Sequence, residues 1–171
     1  MDQRRSLRLL TRLASTRVIW VPGPDDEVKN TVRELLATNK VLSLGTCAND
    51  HPWVAGAYFA ETDPFHLTLL LDVTSRSLAN IRLNPNIAVT LATGSPFDVH
   101  LQGEGDAELL ADDQQLEAAK DAVRAKAPEI ELLKLRAAAV RVTIRHWRAT
   151  DVTIGWRPGK DLTLPSNFSP N

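Results

Sequence analysis

The sequence predicts a mainly β chain with flanking helices, folded as an antiparallel barrel of about six strands. Three observations carry that class. Apolar or alternating runs recur at Val41–Thr46, Trp53–Ala60, Phe65–Asp72, Ile87–Leu91, Asp98–Leu110 and Val140–Trp147, each of strand length. The links Asn49-Asp50-His51-Pro52, Thr62-Asp63-Pro64 and Gly94-Ser95-Pro96 hold the residues that stabilise tight reversals. Helical periodicity is confined to a few short segments, so the helices belong at the barrel ends.

Residues 1–24 form a basic arm in which Leu7, Leu10 and Leu13 alternate with Arg4, Arg5, Arg8 and Arg12, a weakly amphipathic pattern suited to packing on its own domain or on a partner subunit. Pro22-Gly23-Pro24 interrupts it. Asp25 and Asp26 then open a helix whose apolar face is Val28, Val32, Leu35 and Leu36, ending near Thr38. Two strands follow as a hairpin, Val41–Thr46 and Trp53–Ala60, and Phe65–Asp72 is the third strand.

The organising stretch runs from Val73 to Leu91. Thr74 and Ser75 can each cap a helix start, and Pro85 ends that helix at or before Asn84. Two hydroxyls, Arg76 and free backbone N–H groups therefore meet at one helix N-terminus, an arrangement that favours an anion. In the next long strand Gly103 and Gly105 lie on one face, which predicts a bulge or the close approach of another backbone or a flat ligand. Asp112 or Asp113 caps a helix to Lys126, with Leu116, Ala119, Ala122 and Val123 inward. A short helical connector spans Glu129–Arg136, and Val140–Trp147 is the last strand. The domain reading is thus an arm at 1–24, a barrel domain at 25–157 and a loose C-terminal tail at 158–171.

Composition excludes several classes. The chain has 171 residues and a net charge of −1, which exerts no general pull on nucleic acid. Five arginines against one aspartate in residues 1–20 leave about −5 on the remainder, so the basic character is local. Cys47 is the single cysteine, which rules out an internal disulfide and suits a reducing cytoplasm. The N-terminus lacks a signal-peptide core, and no apolar run approaches the roughly 18 residues of a membrane span. A soluble cytoplasmic protein without a membrane or nucleic-acid partner is expected.

His51, His66, His100 and His146 are widely spaced, so no metal site is expected. His100 alternates with Gln102 and Glu104 on one strand face, the pattern of a solvated or cavity-lining row. No phosphate loop ending in Lys-Ser/Thr occurs, and no Gly-x-Gly-x-x-Gly follows a strand.

The order of elements resembles the pyridoxamine 5′-phosphate oxidase-like superfamily of flavin-binding split barrels. The resemblance rests on the hairpin Val41–Ala60 with His51-Pro52 at its turn, on Ser75-Arg76-Ser77-Leu78-Ala79-Asn80-Ile81-Arg82-Leu83-Asn84-Pro85, and on Val99-His100-Leu101-Gln102-Gly103 leading into Ala107-Glu108-Leu109. It covers roughly residues 28 to 150. It implies a six-stranded antiparallel split β-barrel that works as a homodimer, with flavin mononucleotide (FMN) or the related deazaflavin F420 at the subunit interface. By position Ser75 and Arg76 would hold the cofactor phosphate beside Thr74, and Gly56, Ala57 and Tyr58 would run past the flavin ring.

Where many members carry cations this chain has Ser77, Ala55 and Ala60. Arg82 or a partner-subunit residue would have to compensate, and pyridoxamine phosphate is disfavoured as substrate. The first expectation is therefore an FMN-dependent oxidoreductase acting on a small molecule, with no catalytic acid or base that stands out. A deazaflavin-dependent reductase, whose acidic cofactor tail the arginine-rich arm could meet, is the second. A non-catalytic flavin or small-molecule binding protein is the third. Trp53, Tyr58 and Trp147 are the aromatic candidates for a dimer interface of at least ~2,000 Å².

Overall fold

Asn49 and Asp50 both adopt left-handed backbone angles, with φ of 49° and 60°, the pair needed for a tight hairpin whose twist matches its strands. In the computed structural model, which describes residues 24–166 apart from 93, 96, 134 and 135, that turn joins β1 (Val41–Ala48) to β2 (His51–Asp63). The remaining strands are β3 (His66–Asp72), β4 (Asn86–Leu91), β5 (His100–Leu109), β6 (Ala137–Asp151) and β7 (Trp156–Thr163). The helices are α1 (Pro24–Thr38), α2 (Arg76–Leu83) and α3 (Asp113–Lys126), with a 3-10 turn at Pro128–Leu133. The arm at residues 1–23 and the tail residues 167–171 lie outside the described residues.

The strands form one antiparallel sheet in the order β3-β2-β1-β4-β5-β6-β7, and β3 also pairs with β6. Six strands therefore close a ring, and β7 is added outside it on β6. The sheet has seven strands rather than the six expected. Sequence reading missed β7 because Arg157-Pro158-Gly159 interrupts the strand pattern, and the tail assigned from residue 158 begins inside this strand. On β6 it is held by its backbone ladder and by Trp156 and Leu162, which pack with the core, while on the exposed side Asp161 meets Arg148 Nε and Nη2 at 2.9 and 3.1 Å.

Leu42, Leu44, Phe59, Leu67, Leu69, Val140, Val142 and Ile144 point into the ring, where they are buried with Leu101. Trp147 is 0% exposed in that core, and its Nε1 donates to the Pro64 carbonyl at 2.6 Å. It therefore cannot be an interface aromatic, contrary to expectation. The same ring accounts for the paired glycines. A Cβ on Gly103 would stand 2.7 Å from the Trp147 indole, and one on Gly105 would stand 2.1 Å from the Thr143 carbonyl oxygen, where the β5–β6 register shifts by a bulge. Close approach of a core ring and a bulged backbone explains both, with no ligand needed.

Val28, Val32, Leu35 and Leu36 of α1 and Leu78 and Ile81 of α2 join the ring core. The α3 helix lies instead on the outer face, where Ala119 and Val123 cover Ala60, Leu70 and Ala139, with Tyr58 packed at the margin. Ala122, expected inward, is exposed. Lys126 fastens the end of α3: its Nζ donates to the Leu36 carbonyl at 2.8 Å and to the Glu61 carboxylate, and lies 3.8 Å from the Phe59 ring centroid.

Candidate functional site at the split between β2 and β3

The β2–β3 ladder runs from Asp63–His66 to Tyr58–Leu70 and stops. Beyond it β3 stays on β6 as far as Asp72–Ala137, while β2 continues on β1 alone back to His51. The ring is thus split, and His51–Ala57 present an open backbone edge whose N–H and C=O groups are unpaired on that side. Residues 51–54 are exposed on both faces, including Val54 at 65% and Trp53 at 41%.

The chain leaving β3 enters α2 at the mouth of this split. The Asp72 carboxylate accepts from the Thr74 N–H at 2.8 Å and from the Thr74 hydroxyl, and these bonds hold it below the usual carboxylate range. Ser75 is the N-cap: its N–H donates to the Asp72 carbonyl at 2.9 Å, and its Oγ accepts from the Leu78 N–H at 3.3 Å. Thr74, the other capping candidate, lies one residue before the cap and directs its hydroxyl to the Asp72 carboxylate. Of the first-turn amides, those of Arg76 and Ser77 precede any intrahelical partner. Ser77 is 2% exposed, and its Oγ is the one buried side-chain oxygen or nitrogen without a hydrogen-bond partner among the described residues.

Two contacts fix α2 to the hairpin. Asn80 Nδ2 donates to the buried Thr46 hydroxyl at 3.0 Å, and Asn84 Nδ2 donates to the Cys47 carbonyl at 3.1 Å. As Trp53 pairs with Thr46, its indole lies on the helix side of the sheet, and the Arg76 guanidinium carbon sits 4.8 Å from its centroid. No carboxylate pairs with Arg76 among the described residues.

The structure thus brings Ser75, Arg76 and Ser77 together at one helix start, facing β2 through Trp53. Gly56 and Tyr58 lie on the outer face of β2, whereas Ala57 points into the core and offers only its backbone. Arg82 is exposed in the last turn of α2, about 9 Å further along the helix axis than Arg76, so it does not share that N-terminus. Ala60 is buried beneath α3, which leaves that position no access to a ligand. Sequence reasoning missed Trp53 as a site residue, together with Asp72 and Asn80. Alternation places Trp53 on one face with Ala55 and Ala57, but nothing in the pattern tells that α2 returns to that face.

A groove of about 330 Å³ adjoins the site, with Thr46, Cys47, Pro52, Trp53, Val54 and Asn84 on its walls. A larger cavity of about 410 Å³ lies under α3. Its cations are already matched, Lys120 by Glu117 and Arg124 by Asp121 and Glu131, with Arg136 near Asp72; it is a weak anion site. No cluster of three metal-ligating side chains occurs among the described residues.

A family model described as pyridoxamine 5′-phosphate oxidase matches residues 28–151. No curated protein matches the sequence. Among solved structures, a heme binding protein from Mycobacterium smegmatis is 16% identical with a TM-score of 0.66, over 84% of this chain and 60% of that one. This chain therefore spans less than two thirds of that protein's length. A FAD-binding protein from Mesorhizobium loti is 18% identical with a TM-score of 0.59, over 68% and 87% of the two chains. HutZ, the heme storage protein from Vibrio cholerae, is 19% identical with a TM-score of 0.58, over 68% and 89%. At these identities the likeness is one of fold.

Proposed function

The chain belongs to the pyridoxamine 5′-phosphate oxidase family, and on that basis we propose that it is an FMN-dependent oxidoreductase of a small-molecule substrate. The observation that carries the reading is the start of α2, where a Ser75 cap, free first-turn amides and an Arg76 without a carboxylate partner face the open edge of β2. A flavin supplies two-electron redox chemistry when bound. The chain's own part is to bind and orient. Amides and a guanidinium are complementary to a phosphate, the unsatisfied Ser77 hydroxyl is a further donor beside them, and the unpaired edge of β2 offers backbone hydrogen bonds to the ring's polar rim.

The fit is less basic than in a site with three cations. Arg76 is the cation at the helix start, Ala60 is sealed under α3, and the Asp72 carboxylate stands close by. Binding therefore depends heavily on Arg76. We expect FMN to bind the wild type, and Arg76→Ala to weaken it about tenfold to a hundredfold, the equivalent of one charge-assisted hydrogen bond. Fluorescence titration measures this. Hemin is titrated in parallel because two proteins of similar fold are named for heme. Uptake of hemin with a shifted Soret band and no response to FMN would overturn the flavin reading. A deazaflavin titration separates the reductase alternative in the same way.

A further inference from the structure

We infer that Trp53 is a positioning residue, its indole face holding the Arg76 guanidinium ready for the anionic end of the cofactor. The inference rests on the flavin reading above and deepens it.

The 4.8 Å separation between Arg76 Cζ and the Trp53 centroid is inside the roughly 6 Å range of cation–π attraction. What matters is what that contact leaves to the guanidinium. An aromatic face attracts it without adding a negative charge, so Arg76 keeps its charge, and the N–H donors not turned toward the ring remain free for phosphate oxygens. A carboxylate partner would also immobilise Arg76, but it would take those donors and cancel the charge. An arginine held by nothing would lose more side-chain freedom on binding.

The framework behind the indole is fixed independently. Trp53 is directly across from Thr46, and the Thr46 hydroxyl receives Asn80 of α2 at 3.0 Å in a buried bond. The strand pair and the helix are therefore pinned beside the Arg76–Trp53 contact. Trp53 is also 41% exposed, beyond the ring core, so the core does not require an indole there.

The test titrates FMN and riboflavin, which lacks the phosphate, into wild type, Trp53→Leu, Trp53→Phe, Arg76→Ala and the Trp53→Leu/Arg76→Ala double variant. Circular dichroism confirms that each variant is folded. Trp53→Leu should weaken FMN binding about two- to fivefold, and Trp53→Phe should retain most of the affinity. Riboflavin should bind all variants alike, and Trp53→Leu should cost nothing further once Arg76 is gone. Equal losses for riboflavin would show that the indole contacts the ring system instead and would overturn the inference. Additive losses in the double variant would do the same. If wild type binds FMN and Trp53→Leu changes nothing, this inference alone fails; if neither flavin binds wild type, the flavin reading fails and takes it along.

Discussion

Ser77 carries a conflict between stability and binding. Its hydroxyl is buried without a partner in the first turn of α2, and a desolvated, unpaired polar group costs about 1–3 kcal/mol. Replacing it with a residue of similar size and no hydroxyl should remove that cost. We expect Ser77→Ala to stabilise the cofactor-free protein by about 1 kcal/mol, seen as a higher midpoint in urea. An unchanged or lower midpoint would mean that the hydroxyl has a partner in solution. The opposite prediction applies with FMN present: if Ser77 donates to the phosphate, the alanine variant gains less stability from saturating FMN than the wild type does.

At the scale of elements, α2 is an eight-residue helix that has little stability of its own and is held by its surroundings. Leu78 and Ile81 enter the core, and Asn80 and Asn84 bond to β1. Its position at the split is thus a tertiary property. The β7 strand lies outside the closed ring. Trp156 and Leu162 pack it on the core, and it also carries an exposed cluster in which Asp161 accepts from Arg148 and stands 3.0 Å from His146 Nε2. The Arg148 bonds hold the Asp161 carboxyl below its ordinary value. A carboxylate depressed in the folded state contributes stability above its unfolded pKa, about 3.9, and loses that contribution as pH falls through the lower folded value. We therefore expect β7 to loosen first in acid, reported by red-shifted fluorescence of Trp156, which is buried on that strand. Asp161→Asn should abolish the pH dependence of that change, and molar salt should diminish it, because the groups are exposed.

For the whole molecule, the open edge of β2 is the feature that calls for a partner. Trp53 and Val54 are exposed beside it, and Val41 adds an apolar surface across the hairpin at 46%. Unpaired edges and exposed apolar residues together are a liability in a lone soluble chain. We propose a two-fold homodimer burying at least ~2,000 Å² in total, with Val54 and Val41 on its apolar part and Trp147 taking no part. Light scattering should give about twice the chain mass of 18.9 kDa. A Val54→Asp variant should shift that mass toward the monomer; a monomeric wild type would count against the proposal and against any cofactor site built from two chains.

The sequence by itself determined where the six strands of the ring lie and where α2 begins and ends. Those outcomes are local: alternation marks a half-buried strand, Asn49-Asp50 accommodates left-handed turn angles, and Ser75 and Asn84-Pro85 bracket the helix whatever lies around them. It also indicated Ser75, Arg76 and Ser77 as one cluster, because they are adjacent on a helix start. Tertiary structure alone decided what that cluster faces. Where β3 leaves β2, and hence the open edge, is set by pairings on opposite edges of β3: its ladder to β2 ends at Leu70, while its ladder to β6, a segment distant in sequence, runs on to Asp72. The contact of Arg76 with Trp53, the sealing of Ala60 under α3, the core position of Trp147 and the addition of β7 to β6 are likewise long-range. A window of local pattern holds no information about such pairings, since each is set by how separate elements share one core.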